Sequence, residues 1–301
     1  MVRIMKENIK IRMGKNNYIV ILFYKFTKIK NTESFKLKQR KLAERFNLKG
    51  RMFIAEEGIN ATFEGLEKDI KGYEKEFKKQ VKFRNVVFKE SSGTGKAFTK
   101  LHVKVRPEVV TLGVGELNIK KDTAPLVTAS QLQWMYEKQE DFVVLDLRND
   151  FEIKTGYFEK TVDPKLKNFR DLPGKIKKLS GLKDKKVVAV CTGGIRCEKA
   201  TVLLKKEGFE NLYQLKDGIH TYMKKYPGKH FKGSLFVFDN RMTTDVVDGV
   251  KGEVVGRCKY CNVPCEDFYN DDSVRPSRKV LCCGKCIMRH KKLRPAVLSQ
   301  N

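Results

Sequence analysis

The sequence predicts two successive folds, an α+β sandwich and then an α/β domain on a central parallel sheet, with a small cysteine-rich segment behind them. Three observations predict this. Before Val105, short apolar runs and amphipathic stretches follow the order strand, helix, strand, strand, helix, strand, strand. In the middle of the chain, continuous apolar runs alternate with helical stretches, as strands covered on both faces do. Further on, six of the eight cysteines fall between Cys258 and Cys286, among few apolar residues. The expected divisions are 1–117, 118–235 and 236–301.

The run YIVILFY, 18–24, is β-branched and aromatic and reads as a buried strand. It follows a basic stretch as a signal-peptide core would, but it ends at Lys25 and no small-residue cleavage site follows. A helix is expected over 32–46, with Phe35, Leu37, Leu42, Ala43 and Phe46 as its apolar positions. Strands at 51–55 and 59–63 flank Glu56-Glu57-Gly58 as an antiparallel hairpin. Adjacent carboxylates in a strand point to opposite faces, so Glu56 and Glu57 are no acid/base pair. A second helix, 66–77, leads into strands near 81–88 and 101–105. This order is that of a split-βαβ, ferredoxin-like sandwich. SSGTGK, 91–96, lacks the length and terminal Ser/Thr of a phosphate-binding loop and reads as a flexible loop.

A polar connection, 118–125, marks a boundary. Beyond it Thr128 N-caps a helix through Leu132, Met135 and Tyr136. Apolar strands are expected at 142–147 and 186–190, a helix at about 197–207, and a third strand near 212–215. Strand-like pieces at 235–238 and 254–255 precede the cysteines, whose small segment needs a staple.

Lys and Arg total 63 against 36 acidic residues, a formal net charge of +27. Such an excess favours a polyanionic partner, and a lysine-biased genome would also produce it. At 41% hydrophobic residues the chain builds real cores, with disorder confined to its ends. No run approaches the ~18 apolar residues of a membrane span. The absence of an export signal points to the cytoplasm, where cysteines serve as thiols, metal ligands or catalytic groups.

The motif richest in chemistry is VVAVCTGGIRCEKA, 187–200. Cys191 stands where a strand ends, Thr192, Gly193, Gly194 and Ile195 turn the chain, and Arg196 opens a helix. Two glycines let the backbone curl so that N–H groups point toward the sulfur. Those donors, the helix N-terminus and Arg196 favour a thiolate, which could hold transferred sulfur as a persulfide. Cys197 is either a resolving thiol or a packing residue.

This loop, with LDLRNDFE at 145–152 and the later LKDGIHTY, resembles a rhodanese domain. Together with AEEGINATFEG at 55–65, the VRPEVVTLG run ending at Gly113, and FRDLP at 169–173, it resembles the rhodanese-related tRNA uridine hydroxylases. The resemblance runs from about Tyr18 to Cys286. It implies oxygen-dependent conversion of the wobble uridine to 5-hydroxyuridine, with molecular oxygen as co-substrate and the tRNA anticodon loop as partner. Cys191 falls on the catalytic cysteine and Arg196 on the loop arginine. Asp146 and Arg148 fall on the DxR positions, read physically as a pair bracing the loop. Tyr157 replaces a usual histidine and Asp217 the first of two glycines, both near the expected mouth of the site. Two routes to the product are open: covalent addition of Cys191 to the pyrimidine, or a persulfide acting as reductant. A separate sulfur or electron donor is a further expected partner.

Cys258 and Cys261 form one C-x-x-C, Cys283 and Cys286 another, which suggests one structural zinc, with free thiols as the alternative. Cys265, Cys282 and His290 are substitutes should the spacing prove too long. A four-thiolate site leaves no position for water, so it would not be catalytic. His102, His220 and His230 show no ligand spacing and read as satisfied side chains. No flavin, nucleotide or two-His-one-carboxylate motif is evident. Two rival readings share these residues. One is a sulfurtransferase working through a persulfide, and the other is a non-catalytic RNA-binding or zinc scaffold.

Overall fold

A computed structural model describes residues 17–296, so the two ends expected to be disordered lie outside it. The chain opens with β1 (Tyr18–Phe26), α1 (Thr32–Arg45), β2 (Lys49–Ala55), β3 (Gly58–Leu66), α2 (Glu67–Lys78), β4 (Lys89–Ser92) and β5 (Leu101–Val105). The sheet order is β4-β1-β3-β2-β5. The first four strands are antiparallel neighbours, as the split-βαβ order requires, and β5 adds parallel to β2. Alternation along β1 divides its side chains: Ile21 and Phe23 join Phe63, Tyr73 and Phe77 in the core, and Val20, Leu22 and Tyr24 face away from it.

Three local expectations are corrected here. Leu37 is 57% exposed, because the stripe facing the core runs through positions 35, 39, 42, 43 and 46, and Gln39 takes the buried place. Residues 81–88 are not a strand. Val81–Phe83 is a 3-10 turn, with Phe83 and Val86 buried three apart and Val81 and Val87 exposed, a helical rather than two-residue period. The Gly-rich loop is anchored: Ser91 and Ser92 belong to β4, and the Glu64 carboxylate accepts the N–H groups of Thr94, Gly95 and Ala97, each at 2.8 Å.

Next come α3 (Ile119–Asp122), β6 (Leu126–Val127), α4 (Ala129–Glu137), β7 (Val143–Asp146), α5 (Asp150–Ile153), β8 (Gly156–Phe158), β9 (Thr161–Val162), β10 (Val187–Val190), α6 (Ile195–Lys206), β11 (Leu212–Leu215) and α7 (Gly218–Lys225). The parallel sheet has the order β6-β11-β10-β7-β9. Val187 and Ala189 pack on one face with Ala200 and Leu204, and Val188 and Val190 on the other with Leu132, Ile219 and Tyr222. Thr128 caps α4 in a capping box with Gln131. The polar connection forms α3 and is tied down where Gln214 donates to Thr123 Oγ1 at 2.7 Å.

The remainder holds β12 (Phe231–Gly233), β13 (Leu235–Phe236), β14 (Thr243–Thr244), β15 (Phe268–Asp271), β16 (Arg278–Leu281), α8 (Gly284–Ile287) and β17 (Leu293–Pro295). β12 pairs with β8, β13 with β14, and the last three strands form a sheet with β15 central. Residues 254–255, expected as a strand, are irregular and half-exposed. Phe236, Phe268, Leu281, Cys265 and Cys282 build a small core. No helix among the described residues is long and apolar enough to cross a membrane.

Candidate active site

Strand β10 delivers Cys191 to the carboxyl end of the parallel sheet, and the chain turns over Gly194 at φ +102° into α6. The Gly194 N–H donates to Cys191 Sγ at 3.2 Å. Burial works against the thiolate. The Cys197 thiol, the Arg196 charge, and the N–H groups of Cys197 and Arg196 outweigh it, and the Cys191 thiol is pulled down to about 5. Cys197 is as buried as Cys191, and that burial, with the neighbouring sulfur, pushes its own thiol well up. It is therefore the protonated partner of a Cys191 thiolate.

Arg196 is held by a residue to which the sequence reading gave no role. Its Nη1 and Nη2 donate to Glu152 Oε1 and Oε2 at 2.6 and 2.9 Å, and Nη2 also reaches Thr192 Oγ1 at 3.2 Å. Burial lowers the stability of the guanidinium charge, and the Glu152 carboxylate more than restores it. Asp146 and Arg148 do pair, at 2.7 Å and without solvent exposure, and Arg148 also donates to the Gly156 carbonyl at 2.7 Å. Their link to the loop runs through the backbone, where the Leu147 N–H donates to the Val190 carbonyl at 2.9 Å. Direct side-chain support comes from Glu152.

Cys191 lies in the wall of a cavity of about 500 Å3 built from all three parts of the chain. The helix-free face of the first sheet supplies Leu22, Tyr24, Arg51, Asn60 and Lys89. The thiol loop supplies a second wall, and Phe238, Asp239 and Arg241 a third. Gly193 and Gly194 permit this closeness: a Cβ on them would stand 2.8 Å from Leu22 Cδ2 and from Tyr24 Oη. Ion pairs and hydrogen bonds lock the parts together. Lys199 of α6 is buried between Glu57, at 2.8 Å, and Glu108, at 2.5 Å. Tyr24 Oη donates to Glu198 at 2.7 Å. Arg241 forks onto Asp239 at 2.8 and 2.6 Å and reaches Ser91 Oγ at 3.0 Å, and Arg51 donates to the Phe238 carbonyl. Glu56 and Glu57 occupy the turn of the β2–β3 hairpin, as expected, and Glu57 serves Lys199.

The two departures from the resembled family separate. Asp217, at φ +61°, pairs with the buried Lys89 at 3.2 Å and so touches the cavity through that lysine. Tyr157 is half-exposed on β8, opposite Lys232 of β12, and is absent from the cavity wall. The position near the mouth expected for Tyr157 is corrected. Among the histidines, His230 is satisfied by Glu159 at 2.7 Å and stacks on Tyr136. His220 is not satisfied: it lines the cavity with both ring nitrogens unpartnered.

The four C-x-x-C sulfurs of Cys258, Cys261, Cys283 and Cys286 all lie within 4.8 Å of one another. Tetrahedral zinc with bonds of about 2.3 Å needs sulfurs roughly 3.8 Å apart, so this set fits. The substitutes are not recruited. Cys265 and Cys282 are buried in the local core, and His290 stacks on Tyr260 at 3.5 Å.

The sequence reading missed Glu152, Lys199, Lys89, His220 and Arg241. Glu152, Lys199 and His220 lie inside the quoted motifs, which was the available signal. Lys89 and Arg241 depend on contacts between parts of the chain distant in sequence.

Comparison with known proteins agrees with this architecture. Residues 18–109 match the UPF0176 acylphosphatase-like domain, 128–225 the rhodanese-like domain, and 232–296 the rhodanese C-terminal domain. A tRNA uridine(34) hydroxylase of Onion yellows phytoplasma is 38% identical over 274 residues, spanning 89% of this chain and 88% of that protein. The protein of the same name from Staphylococcus carnosus is 35% identical over 286 residues, covering 90% of each. That of Corynebacterium kroppenstedtii is 39% identical over 281 residues, covering 90% and 94%. Among solved structures, a rhodanese-like domain from Anabaena sp. is similar at 22% identity and TM-score 0.31, over 36% of this chain and 79% of that one. With an acylphosphatase-like sheet closing over a rhodanese thiol loop, and relatives aligned along nearly their whole length, the chain belongs to the tRNA uridine(34) hydroxylase family.

Proposed function

We propose that this protein hydroxylates C5 of the wobble uridine of tRNA with molecular oxygen, using Cys191 as its reactive group. The observation that carries the reading is a buried thiolate in a cavity sized for a nucleotide and walled by three parts of the chain. One atom of O2 enters the nucleoside. The other leaves as water, with two electrons and two protons drawn from a thiol-class reductant. Arg196, the Gly194 amide and the turn from Thr192 to Ile195 hold the sulfur as an anion. Asp146 and Arg148 fix the strand end beneath it, and Cys197 keeps a proton beside it.

An anticodon loop suits this site because its bases can be splayed into a pocket, and Arg51, Lys89, Arg106 and Arg241 set a positive field around the entering nucleotide. The +27 charge extends that attraction beyond the cavity. Cys258, Cys261, Cys283 and Cys286 would hold one zinc, which supplies structure rather than chemistry. A cytoplasmic setting gives access to tRNA and to reduced thiols.

Exact-mass nucleoside analysis of under-modified tRNA, incubated under heavy-isotope O2, tests the proposal. Label in 5-hydroxyuridine, lost with Cys191→Ser, is the expected result. Sulfur in the nucleoside would replace this reading with sulfur transfer, and an unchanged nucleoside would leave binding alone. RNA carrying 5-fluorouridine at the wobble position separates the two chemical routes, since covalent addition of Cys191 predicts a protein–RNA adduct.

A further inference from the structure

We propose that His220 reads the base in this cavity, donating a hydrogen bond from its imidazole to the C4 carbonyl oxygen of uracil bound beside Cys191. The inference rests on the reading that the substrate is a uridine, and it assigns the selection of that base to one side chain.

The position of His220 is set by the thiol loop. Helix α7 starts at Gly218, and the N–H groups of Ile219 and His220 donate to the carbonyls of Cys191 and Thr192 at 3.0 and 3.1 Å. Gly218 makes that approach possible: a Cβ there would lie 2.6 Å from the Cys191 carbonyl oxygen. The ring and the sulfur therefore belong to one backbone unit, and a shift of either moves the other.

The residue is 4% exposed and forms part of the cavity wall, yet neither ring nitrogen has a hydrogen-bond partner among the described residues. Buried polar groups are ordinarily paired, so an imidazole left open at a reactive cavity is a site for a ligand's polar atoms. Burial, with the charges of Lys89, Lys224 and Arg241, drives its protonation down to about 3, so the ring is uncharged at neutral pH. An uncharged imidazole offers one donor and one acceptor. Uracil presents carbonyl oxygens flanking N3–H. Cytosine presents an amino group at the position next to C5, and the nearby cations oppose its partial positive charge. The surroundings that keep His220 neutral thus also favour uracil.

The test uses the full-length protein labelled with 15N-histidine. With four histidines in the chain, the ring signals of His220 are assigned by their loss in His220→Gln. Anticodon stem-loops differing only in uridine or cytidine at the wobble position are then titrated in. The uridine RNA is expected to shift the His220 ring resonances, and the cytidine RNA to bind without doing so. His220→Leu is expected to lower kcat/KM on the uridine RNA roughly tenfold, the worth of one hydrogen bond, and to narrow the uridine-to-cytidine ratio. His220→Gln, which retains a donor, is expected to recover most of both. Ring signals unmoved by the uridine RNA, or a leucine variant with unchanged kcat/KM and discrimination, would overturn the inference. If His220→Leu does not fold, the resonance shift and the glutamine variant decide. Shifted signals without labelled 5-hydroxyuridine would sink hydroxylation and leave base reading standing. Labelled product with unmoved signals would do the reverse.

Discussion

At Cys191 a full loss of solvent is set against a thiol, an arginine and backbone N–H groups, and the donors win, leaving the sulfur ionised at neutral pH. The thiolate absorbance of the protein, taken as a difference from Cys191→Ser, is expected to rise with a midpoint near 5 rather than near the ordinary 9.0. Because the folded value is depressed, the ionised sulfur stabilises the fold fully above the unfolded value. That contribution is lost as pH falls from 9 toward 5, so the serine variant should show a flatter pH dependence of stability over this window. Glu152 is the second residue on which the loop depends. Glu152→Ala leaves the Arg196 charge buried and uncompensated, and urea unfolding is expected to register a loss of about 3–5 kcal/mol.

Helix α7 and the thiol loop meet through Gly218, whose φ is +72° and whose missing side chain admits the Cys191 carbonyl. Gly218→Ala is expected to cost about 1–3 kcal/mol and to lower activity, whereas Gly174→Ala, in open space, should do neither. Thermal melts with parallel nucleoside assays distinguish the two. Most strands near these elements were legible, because Val187 to Val190 alternate between two covered faces and Ile21 and Phe23 alternate with Leu22 and Tyr24. The thiol loop was legible from its spacing, since Cys191, the glycine pair and Arg196 are sequence neighbours. The rest was hidden for a physical reason. Glu152 finds Arg196 only because β7 and β10 lie side by side, and Lys199 finds Glu57 and Glu108 only because the first sheet docks on α6. Residues 81–88 misled because Phe83 and Val86 bury themselves at a helical spacing within an apolar run.

Across the whole molecule the charge excess and the cysteine cluster make separate predictions. Binding of tRNA is expected to weaken steeply with salt, with a log–log slope of about −0.7 per unpaired phosphate neutralised. Fluorescence titrations at several ionic strengths measure it, and a flat response would remove the polyanion as partner. Elemental analysis is expected to find one zinc per chain, lost in Cys258→Ser. The core around Phe236 and Phe268 should then melt at a lower temperature than the parallel sheet.

The three-walled cavity also has a consequence in time. The ribosome releases the chain from its N-terminus, so the first sheet and the thiol loop are complete before Phe238, Asp239 and Arg241 emerge. For that interval the nascent protein carries an ionised sulfur with one side of its enclosure missing, open to peroxide before it can receive RNA. A chain ending before Leu235 reproduces that moment, and mass spectrometry is expected to find its Cys191 sulfinylated faster than in the finished protein.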